Sequence, residues 1–256
     1  MKHERTIERR QLLKGTVGTA SLVALSGCDN LTRSSWFPGI LSKGERLTEA
    51  VLRAVTPRDA LAKEYRLSEI STSFPANGNI DPGTEVYAEH VTQNFAEWTL
   101  EVTGLVKTPR SWSLAALKEL PARTQITRHD CVEGWSAIGK WTGVPIGDLL
   151  HQVEPLPNAR YAVFHCADVD DEGIAYYESI AVADCYHPQT ILAYELNDAP
   201  LDVPHGAPLR LRFERQLGYK QAKYVMKIEL VESLVGIGGG KGGYWEDQGY
   251  EWYAGI

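Results

Sequence analysis

One short stretch, residues 127–135 (Thr-Arg-His-Asp-Cys-Val-Glu-Gly-Trp), holds the residue types that are best suited to chemistry. The residues just before Arg128 include two threonines and an isoleucine, and this β-branched composition predicts a strand. Glycines at positions 134 and 139 predict a loop after the strand. Cys131 is therefore expected where a strand gives way to a loop, so that its sulfur can face a cleft.

Positive charge beside Cys131 would favour the thiolate over the thiol, and the thiolate is the form that binds a metal ion. Arg128 and His129 are the nearby residues that could supply this charge. The alternative is that Cys131 is a small buried apolar residue, as free cysteines often are. The residue types alone leave both interpretations open.

A second polar segment, residues 205–210 (His-Gly-Ala-Pro-Leu-Arg), has the composition of an anion site. Arg210 offers a planar fork of donors that matches a phosphate, and Gly206 permits close approach of the backbone. The alternative is a polar strand end with Arg210 in solvent. A P-loop is excluded, because no Gly-Lys-Ser/Thr follows a glycine run.

The Cys-Val-Glu-Gly-Trp sequence after Arg-His-Asp, together with the His-Gly-x-Pro-x-Arg segment, resembles the sulfite-oxidase superfamily of molybdenum enzymes. It is most similar to the branch of bacterial periplasmic methionine-sulfoxide reductase subunits, over roughly residues 70 to 256. The resemblance implies an α+β, sulfite-oxidase-type molybdopterin-binding fold with mixed sheets and short helices. It also implies a molybdenum-molybdopterin cofactor, with Cys131 as the one protein ligand of the metal.

The resemblance assigns further residues to the cofactor. These contacts to the pterin and its phosphate are Asn77, Asp168, His205, Arg210, Lys220 and Lys223. Asn77 lies in a stretch of turn residues and could equally be a plain turn residue. The acidic run 168–172 lacks the frame of a calcium loop, so a solvated acidic turn is the alternative there.

On the substrate side, the resemblance places Tyr250 over the metal as a hydrogen-bond donor. Trp135 is expected to form an apolar wall beside the metal. The aromatic residues Trp252 and Tyr253 are expected to fill the core. Residues 132–139 contain no cation, which disfavours the dianion sulfite and favours reduction of an S-oxide or N-oxide. The alternatives are a sulfite-oxidising dehydrogenase and a non-catalytic, lipid-anchored binding protein of the same fold.

The N-terminal residues predict export. Paired arginines at positions 9 and 10 precede two leucines, a lysine and an uncharged run, as in a twin-arginine signal peptide. The run is too short for a membrane span, which needs about 20 residues. Residues 25–28 (Leu-Ser-Gly-Cys) resemble a lipoprotein processing box that would leave a lipid on Cys28. The expected organisation is a signal peptide (1–27), a tether (28–44) and a single oxidoreductase domain (45–256), anchored at the periplasmic face of the cytoplasmic membrane.

The formal net charge of −7 argues against nucleic acid as a partner and suits a basic redox protein. The sequence has no Cys-x-x-Cys pair, so a haem c or an iron–sulfur cluster has no support. Electrons are therefore expected from a membrane cytochrome or a soluble cytochrome c. Of the remaining cysteines, Cys166 and Cys185 could form a disulfide in an exported protein or be two buried thiols.

Hydrophobic patterns predict strands at 98–102, 124–127, 160–167, 176–182, 191–195, 209–213 and 224–231. Short helices are predicted at 45–54, 114–120 and 145–153, and a long loop at 71–83. Many short strands with few helices indicate an α+β domain with mixed sheets.

Overall fold

A computed structural model of the chain describes residues 37–256. The chain divides after Ala54, and the compact unit spans Val55–Ile256. The described part of the first unit is helix α1 (Phe37–Val55). The signal peptide and the start of the tether lie outside the described residues. No helix among those described is both long and apolar enough to cross a bilayer.

Helix α1 corrects the predicted boundary between tether and domain. It was expected to begin at residue 45, but it begins at Phe37, so residues 37–44 are helical. Pro38 lies in the first turn, where a missing N–H leaves no helical hydrogen bond unmade, so it does not delay the start. The compact unit begins at Val55, the last residue of this helix.

The compact unit contains two mixed or antiparallel sheets. The first sheet has the order β2-β1-β10-β5-β6 and consists of β1 (Thr99–Gly104), β2 (Arg110–Ser113), β5 (Tyr161–Val169), β6 (Ala175–Ala181) and β10 (Val225–Val231). Strands β1 and β10 are parallel, whereas the other pairs in this sheet are antiparallel.

The second sheet is antiparallel and has the order β3-β4-β7-β8, with β9 also paired to β7. Its strands are β3 (Arg123–Asp130), β4 (Ser136–Pro145), β7 (Thr190–Leu196), β8 (Ala199–Pro200) and β9 (Arg210–Phe213). Asn197 and Asp198 both have positive φ and form the tight turn between β7 and β8.

The helices of the compact unit are short. They are α2 (Glu85–Thr92), α3 (Leu114–Lys118), α4 (Ile146–Val153), α5 (Val182–Cys185) and α6 (Tyr244–Asp247), with 3₁₀ turns at Leu67–Glu69, Val203–His205 and Gly218–Lys220. The Ser113 hydroxyl accepts a hydrogen bond from the Ala116 amide at 3.2 Å and caps α3, as predicted.

The main apolar core lies between the two sheets. Leu100 and Ile228 of the first sheet and Leu192 and Leu211 of the second belong to one cluster of fully buried side chains. A smaller cluster around Trp141 packs on β7 with Phe74. Cys166 and Cys185 are buried free thiols, so the disulfide alternative is wrong.

The strand that leads to Cys131 has a polar buried face. Alternation along β3 turns Gln125, Thr127 and His129 inward, and each is at most 1% exposed. Buried polar groups need hydrogen-bond partners, so β3 has to lie against other polar side chains. Glu214 accepts from Gln125 and Arg212 bonds to His129, whereas the Thr127 hydroxyl has no partner among the described residues, so β3 packs on a largely satisfied polar layer.

The α+β class with mixed sheets is confirmed, and every predicted strand is present. Strand β4 was missed because Gly134 and Gly139 indicated a loop. A Cβ atom at Gly139 would lie 2.9 Å from the Leu196 side chain, and one at Gly143 would lie 2.1 Å from the Leu192 carbonyl. These glycines allow close packing inside a strand and do not end it.

This packing makes Gly143 a test of the second sheet. We expect Gly143→Ala to lower the free energy of unfolding by about 1–3 kcal/mol, because the new methyl group meets backbone that cannot rotate away. Urea denaturation measures the loss. The control is Thr124→Ala on the exposed face of the same sheet, which should cost less than about 1 kcal/mol. Equal effects of the two changes would contradict the close packing of β4 on β7.

Candidate functional site

A cavity of about 220 Å³ lies beside Cys131. Segments that are far apart in the sequence line it. They are the loop at residues 77–79, the Cys131 loop at 131–133, the end of β5 at 168–170, residues 218–223, and the aromatic pair Tyr244 and Trp245. The cavity thus lies where the ends of strands from both sheets meet the long loop and the C-terminal segment.

The hairpin between β3 and β4 presents Cys131. Its amide donates to the Trp135 carbonyl at 2.9 Å, and its carbonyl accepts from the Gly134 amide at 3.1 Å. Gly134 has a φ of +91°, which a residue with a side chain rarely adopts. This turn holds the half-buried sulfur at the cavity wall, where the sequence placed it.

The cation beside Cys131 is not one of those expected. Arg128 points away and pairs with Asp130, with its Nε 3.0 Å from the carboxylate. Burial, followed by the charges of Arg210 and Arg212, lowers the pKa of His129 well below its usual range, so the ring is neutral. Burial raises the pKa of the Cys131 thiol, and the charge of Arg210 opposes this effect.

Two buried cations, one in the cavity wall and one bonded to it, form no ion pair with the described residues. Arg210 is fully buried and donates to the Asn77 side-chain oxygen at 3.0 Å and to the His205 carbonyl at 3.3 Å. Lys223 lines the cavity and donates to the carbonyls of Asn77 (2.7 Å), Pro204 (3.0 Å) and Asn79. Burial, followed by charge repulsion, lowers the pKa of Arg210 to about 9 and that of Lys223 to about 7.

Lys220 lies in a different environment, outside the cavity lining, and its assignment as a phosphate contact stays a prediction. Its ammonium group pairs with the carboxylates of Glu178 and Glu246, and all three side chains are at most 1% exposed. Burial raises the pKa of Glu178 well above its usual range. One ammonium group neutralises only one of two carboxylates, so the cluster favours a proton on the carboxyl pair.

His205 is also displaced from its expected role as a pterin contact. Its Nδ1 lies 2.5 Å from the Asp202 carboxylate, and its Nε2 lies 2.9 Å from the Phe74 carbonyl. With both ring nitrogens engaged, the side chain connects the long loop to the 203–205 turn. Only its carbonyl reaches the site, through Arg210.

Asn77 and Asp168 lie where the sequence placed them, in the wall of the cavity. The Asn77 side chain orients Arg210, so it is more than a turn residue. Asp168 is 5% exposed, and its Oδ1 has no hydrogen-bond partner among the described residues. Burial raises the pKa of Asp168 to about 6.

The two aromatic residues expected at the metal lie elsewhere. Trp135 donates to the Glu133 carboxylate at 3.0 Å and packs against Phe74 and His129, outside the cavity lining. Tyr250 also lies outside the lining, because it packs against the outer sides of Tyr219 and Trp245 at ring distances of 5.1 and 5.3 Å.

The aromatic walls of the cavity come instead from residues that the sequence did not single out: Tyr176, Tyr219, Tyr244 and Trp245. The phenol of Tyr176 donates to the Tyr219 carbonyl at 2.7 Å, and that of Tyr244 donates to the Asp170 carboxylate at 2.8 Å. The density of aromatic residues in the C-terminal segment was the available signal, but it did not distinguish the lining residues from their neighbours.

A polar network behind the cavity was missed as well. Arg212 pairs with Glu214 through two donors, at 2.9 and 2.6 Å, and its third donor lies 3.1 Å from His129 Nδ1. A Cβ atom at Gly218 would lie 2.5 Å from His129 Nε2, so this glycine permits the cavity floor to rest on the ring. The network holds β9 against β3, two residues before Cys131.

The chemistry of this cavity fits an anionic ligand with several polar edges. Arg210 and Lys223 are buried cations without an ion-pair partner, and an anion would offset the cost of burying them. Among the described residues, Arg210 Nε, Asp168 Oδ1 and Gln221 Oε1 are buried without partners. A molybdopterin, which carries a phosphate and a pterin ring with donors and acceptors, has the matching groups. The fold and site therefore define a protein that binds such a cofactor next to one cysteine.

Comparison with known families gives the same class. Residues 88–234 match the family described as the oxidoreductase molybdopterin binding domain. The chain belongs to this family, the sulfite oxidase family of molybdopterin-dependent oxidoreductases. Molybdopterin is the cofactor that the domain binds. The cavity is lined by Cys131, Asn77, Asp168 and Lys223, and Arg210 donates to Asn77.

Individual relatives carry related names. A protein of Azospira oryzae, named as a candidate protein-methionine-sulfoxide reductase subunit, is 38% identical over 249 residues, which are 96% of this chain and 87% of the relative. The protein-methionine-sulfoxide reductase catalytic subunit of Xanthomonas campestris pv. campestris is 36% identical over 153 residues. That match covers 56% of this chain and 48%, or about half, of the relative.

A solved structure is also similar. The sulfane dehydrogenase SoxCD of Paracoccus pantotrophus aligns with a TM-score of 0.49 and 20% identity. The alignment covers 55% of this chain and 39% of that one.

The two lysines at 220 and 223 provide a paired test of the site. We expect Lys220→Met to destabilise the cofactor-free protein by about 3–5 kcal/mol, because it leaves two buried carboxylates without their cation. The matched variant Lys223→Met removes a buried cation that has no ion pair, so it should leave stability unchanged or raise it. It should also weaken retention of the cofactor.

Urea denaturation and phosphate-pterin content measure these two effects. A large loss of stability in Lys223→Met together with a small one in Lys220→Met would contradict the assignment.

Proposed function

We propose that this protein is a molybdopterin-dependent reductase of S-oxides, and in the second place of N-oxides, that works in the cell envelope. The observation that carries the proposal is the cavity beside Cys131. Lys223 lines it, the buried Arg210 donates to its wall residue Asn77, and neither cation has a carboxylate partner among the described residues. Together with the family, it supports a bound phosphate-bearing cofactor next to a sulfur ligand. The bound group supplies two-electron redox chemistry, and the protein supplies the surroundings.

The walls of the cavity support a neutral substrate. Lys223 is a cation of the lining, which otherwise includes apolar and aromatic residues, the amides of Asn77, Asn79 and Gln221, and the carboxylates of Glu133 and Asp170. Carboxylates repel a dianion such as sulfite, whereas a neutral S-oxide brings only a polar oxygen. Arg128 is absent from this lining and instead borders a separate surface cleft. The names of the relatives point to methionine sulfoxide as the S-oxide.

Electrons must reach the cofactor from another protein. The sequence has no haem-attachment motif, and the proposed donor is a cytochrome, either in the membrane or soluble. The acidic net charge of −7 suits a donor with a basic contact surface. The relatives named as subunits of a reductase support the presence of a partner protein.

The proposed location is the outer face of the cytoplasmic membrane. It rests on the twin-arginine pattern at residues 8–14 and on Cys28 as the site of a lipid. A route for folded proteins suits an enzyme whose cofactor is inserted before export. Asp29 after the modified cysteine resembles a retention signal for that membrane.

Substrate assays test the reaction. With a reduced viologen as electron donor, we expect the holoenzyme to reduce methionine sulfoxide, dimethyl sulfoxide and, more slowly, trimethylamine N-oxide. Sulfite should be oxidised poorly, because the walls carry negative charge. A sulfite kcat/KM of about 10⁶ M⁻¹s⁻¹ or more, near the upper range for enzymes, would contradict the proposal.

The ligand role of Cys131 predicts a separate result. Cys131→Ser should abolish turnover and the thiolate-to-metal absorption. It should retain most of the pterin phosphate, which Arg210 and Lys223 still bind. Cys166→Ser is the matched control, since that thiol is buried and donates to the Phe164 carbonyl at 3.8 Å. Full activity in Cys131→Ser would refute the assignment.

Cell fractionation tests the location. The double substitution Arg9→Lys with Arg10→Lys should leave the precursor in the cytoplasm, because this export route requires the arginine pair. Cys28→Ala should separate export from anchoring and give soluble periplasmic or uncleaved protein. Unchanged fractionation of both variants would contradict export and lipid attachment.

A further inference from the structure

Asp168 is a buried titratable group in the wall of the cavity, and cofactor binding alone does not define a partner for it. It lies near the end of β5, which spans Tyr161–Val169, and it lines the same cavity as Cys131. Its Oδ1 makes no hydrogen bond within the described part of the chain, although the side chain is 95% buried. Burying a carboxylate oxygen that has no donor is costly, and this cost outweighs the bond from the Asp168 backbone amide, so the position favours the uncharged acid.

The other two carboxylates of the cavity are in the opposite situation. Asp170 accepts from the amides of Glu172 and Ile174 at 2.9 and 2.8 Å and from the Tyr244 hydroxyl, and these bonds lower its pKa. Glu133 is exposed and accepts from the Trp135 indole. Asp170 is therefore suited to remain ionised, and Asp168 is the buried carboxyl group that is placed to carry a proton.

The titratable groups around Asp168 are compatible with its protonated form. Burial raises the pKa values of Tyr87, Tyr176, Tyr224 and Cys166, all of which lie within reach of its charge, so they are neutral near pH 7. Lys223 is the cation that opposes the effect of burial on Asp168. Its ammonium group is directed to three backbone carbonyls and forms no ion pair with Asp168.

Reduction of an S-oxide requires protons as well as electrons. The substrate takes up two electrons and two protons, its sulfur–oxygen bond breaks, the sulfur keeps a lone pair, and the oxygen leaves as water. The electrons come from the cofactor after its reduction by the external haem protein. A protonated group inside a cavity that excludes bulk water can supply a proton as the charge on oxygen develops.

We propose that Asp168 is the general acid of this reaction, a catalytic residue whose carboxyl proton passes to the departing oxygen. The inference rests on the proposed function and deepens it. Asp168 gives one of the two protons and regains it from solvent through the mouth of the cavity, and the second proton comes from solvent.

The test compares Asp168→Asn with Asp171→Asn. Asp171 is an exposed carboxylate nearby that does not line the cavity. Asp168→Asn should lower kcat for methionine sulfoxide by about 10²- to 10⁴-fold, with KM and cofactor content close to wild type. In the wild type, kcat should fall as pH rises through the pKa of Asp168, which is about 6 before an anion is bound. Asp168→Asn should lack this limb, and Asp171→Asn should retain it.

Two further measurements separate the acid from a structural role. In the cofactor-free protein, the infrared absorption of protonated carboxyl groups should lose one component as pH rises past about 6, and Asp168→Asn should lack this component while it retains any absorption from the Glu178 cluster. In Asp168→Ala, added formic acid should restore part of the turnover. This recovery is expected of a missing proton donor and not of a missing contact.

Each negative outcome has its own meaning. Unchanged kcat in Asp168→Asn beside an active wild type overturns the inference and leaves the proposed function intact. Loss of cofactor with unchanged kcat per bound cofactor also overturns it, because Asp168 is then only a binding residue. A wild type that reduces no S-oxide contradicts the proposed function itself, and the donor role with it.

Discussion

The site depends on the cost of burying two cations that have no carboxylate partner among the described residues. A buried charge is costly unless other groups compensate for it, and Arg210 and Lys223 obtain only neutral oxygens from the protein. Lys223 gathers carbonyls from residues 77, 79 and 204, and Arg210 takes the side chain of Asn77. The long loop has no regular hydrogen bonds of its own, so these contacts give it a fixed path along the cavity. An anionic ligand would then neutralise the positive charge of Arg210 and Lys223, which the neutral oxygens of the loop do not neutralise.

Neighbouring cations make the same point by contrast. Arg212 lies two residues from Arg210, yet it is neutralised by both oxygens of Glu214, and Lys220 lies close to Lys223 but is held by two carboxylates. One member of each pair thus supports the fold and the other remains available for a ligand. Arg212 and Lys220 anchor the segments around residues 129 and 246, and in this way they hold the cavity walls in place. The presence or absence of a carboxylate partner therefore decides whether each arginine or lysine supports the fold or remains available for a ligand, because the members of each pair have the same side chain.

The sequence predicted those features that depend on nearby residues. Strand ends, the cap at Ser113 and the loop position of Cys131 follow from local composition, and the structure has them. It could not separate Lys220 from Lys223, because Glu178 and Glu246 reach Lys220 from distant strands and helices. The partners of His205 could not be predicted for the same reason, since Asp202 and the Phe74 carbonyl contact its ring nitrogens only in the folded chain.

Strand β4 was missed because a glycine looks the same in a sequence whether it ends a strand or allows close packing within one. Gly143 lies against the Leu192 backbone, and only the paired strand reveals this. Tyr250 shows a related limit. The aromatic tail reaches the cavity as expected, but its path brings Tyr244 and Trp245 to the wall and leaves Tyr250 behind them.

Protonation links the cations to the acid. In the cofactor-free protein, burial lowers the pKa of Lys223 to about 7, so the unfolded chain binds more protons above that pH and the folded state gains stability as pH rises from about 7. Burial raises the pKa of Asp168 to about 6, so its contribution is present at low pH and is lost as pH rises through that value. A bound anion shifts both pKa values upward, because it favours the protonated form of each group. A bound anion therefore restores the positive charge of Lys223, and it keeps Asp168 protonated to a higher pH. The ligand that compensates the buried cations thus also keeps Asp168 in the protonated form needed for a general acid.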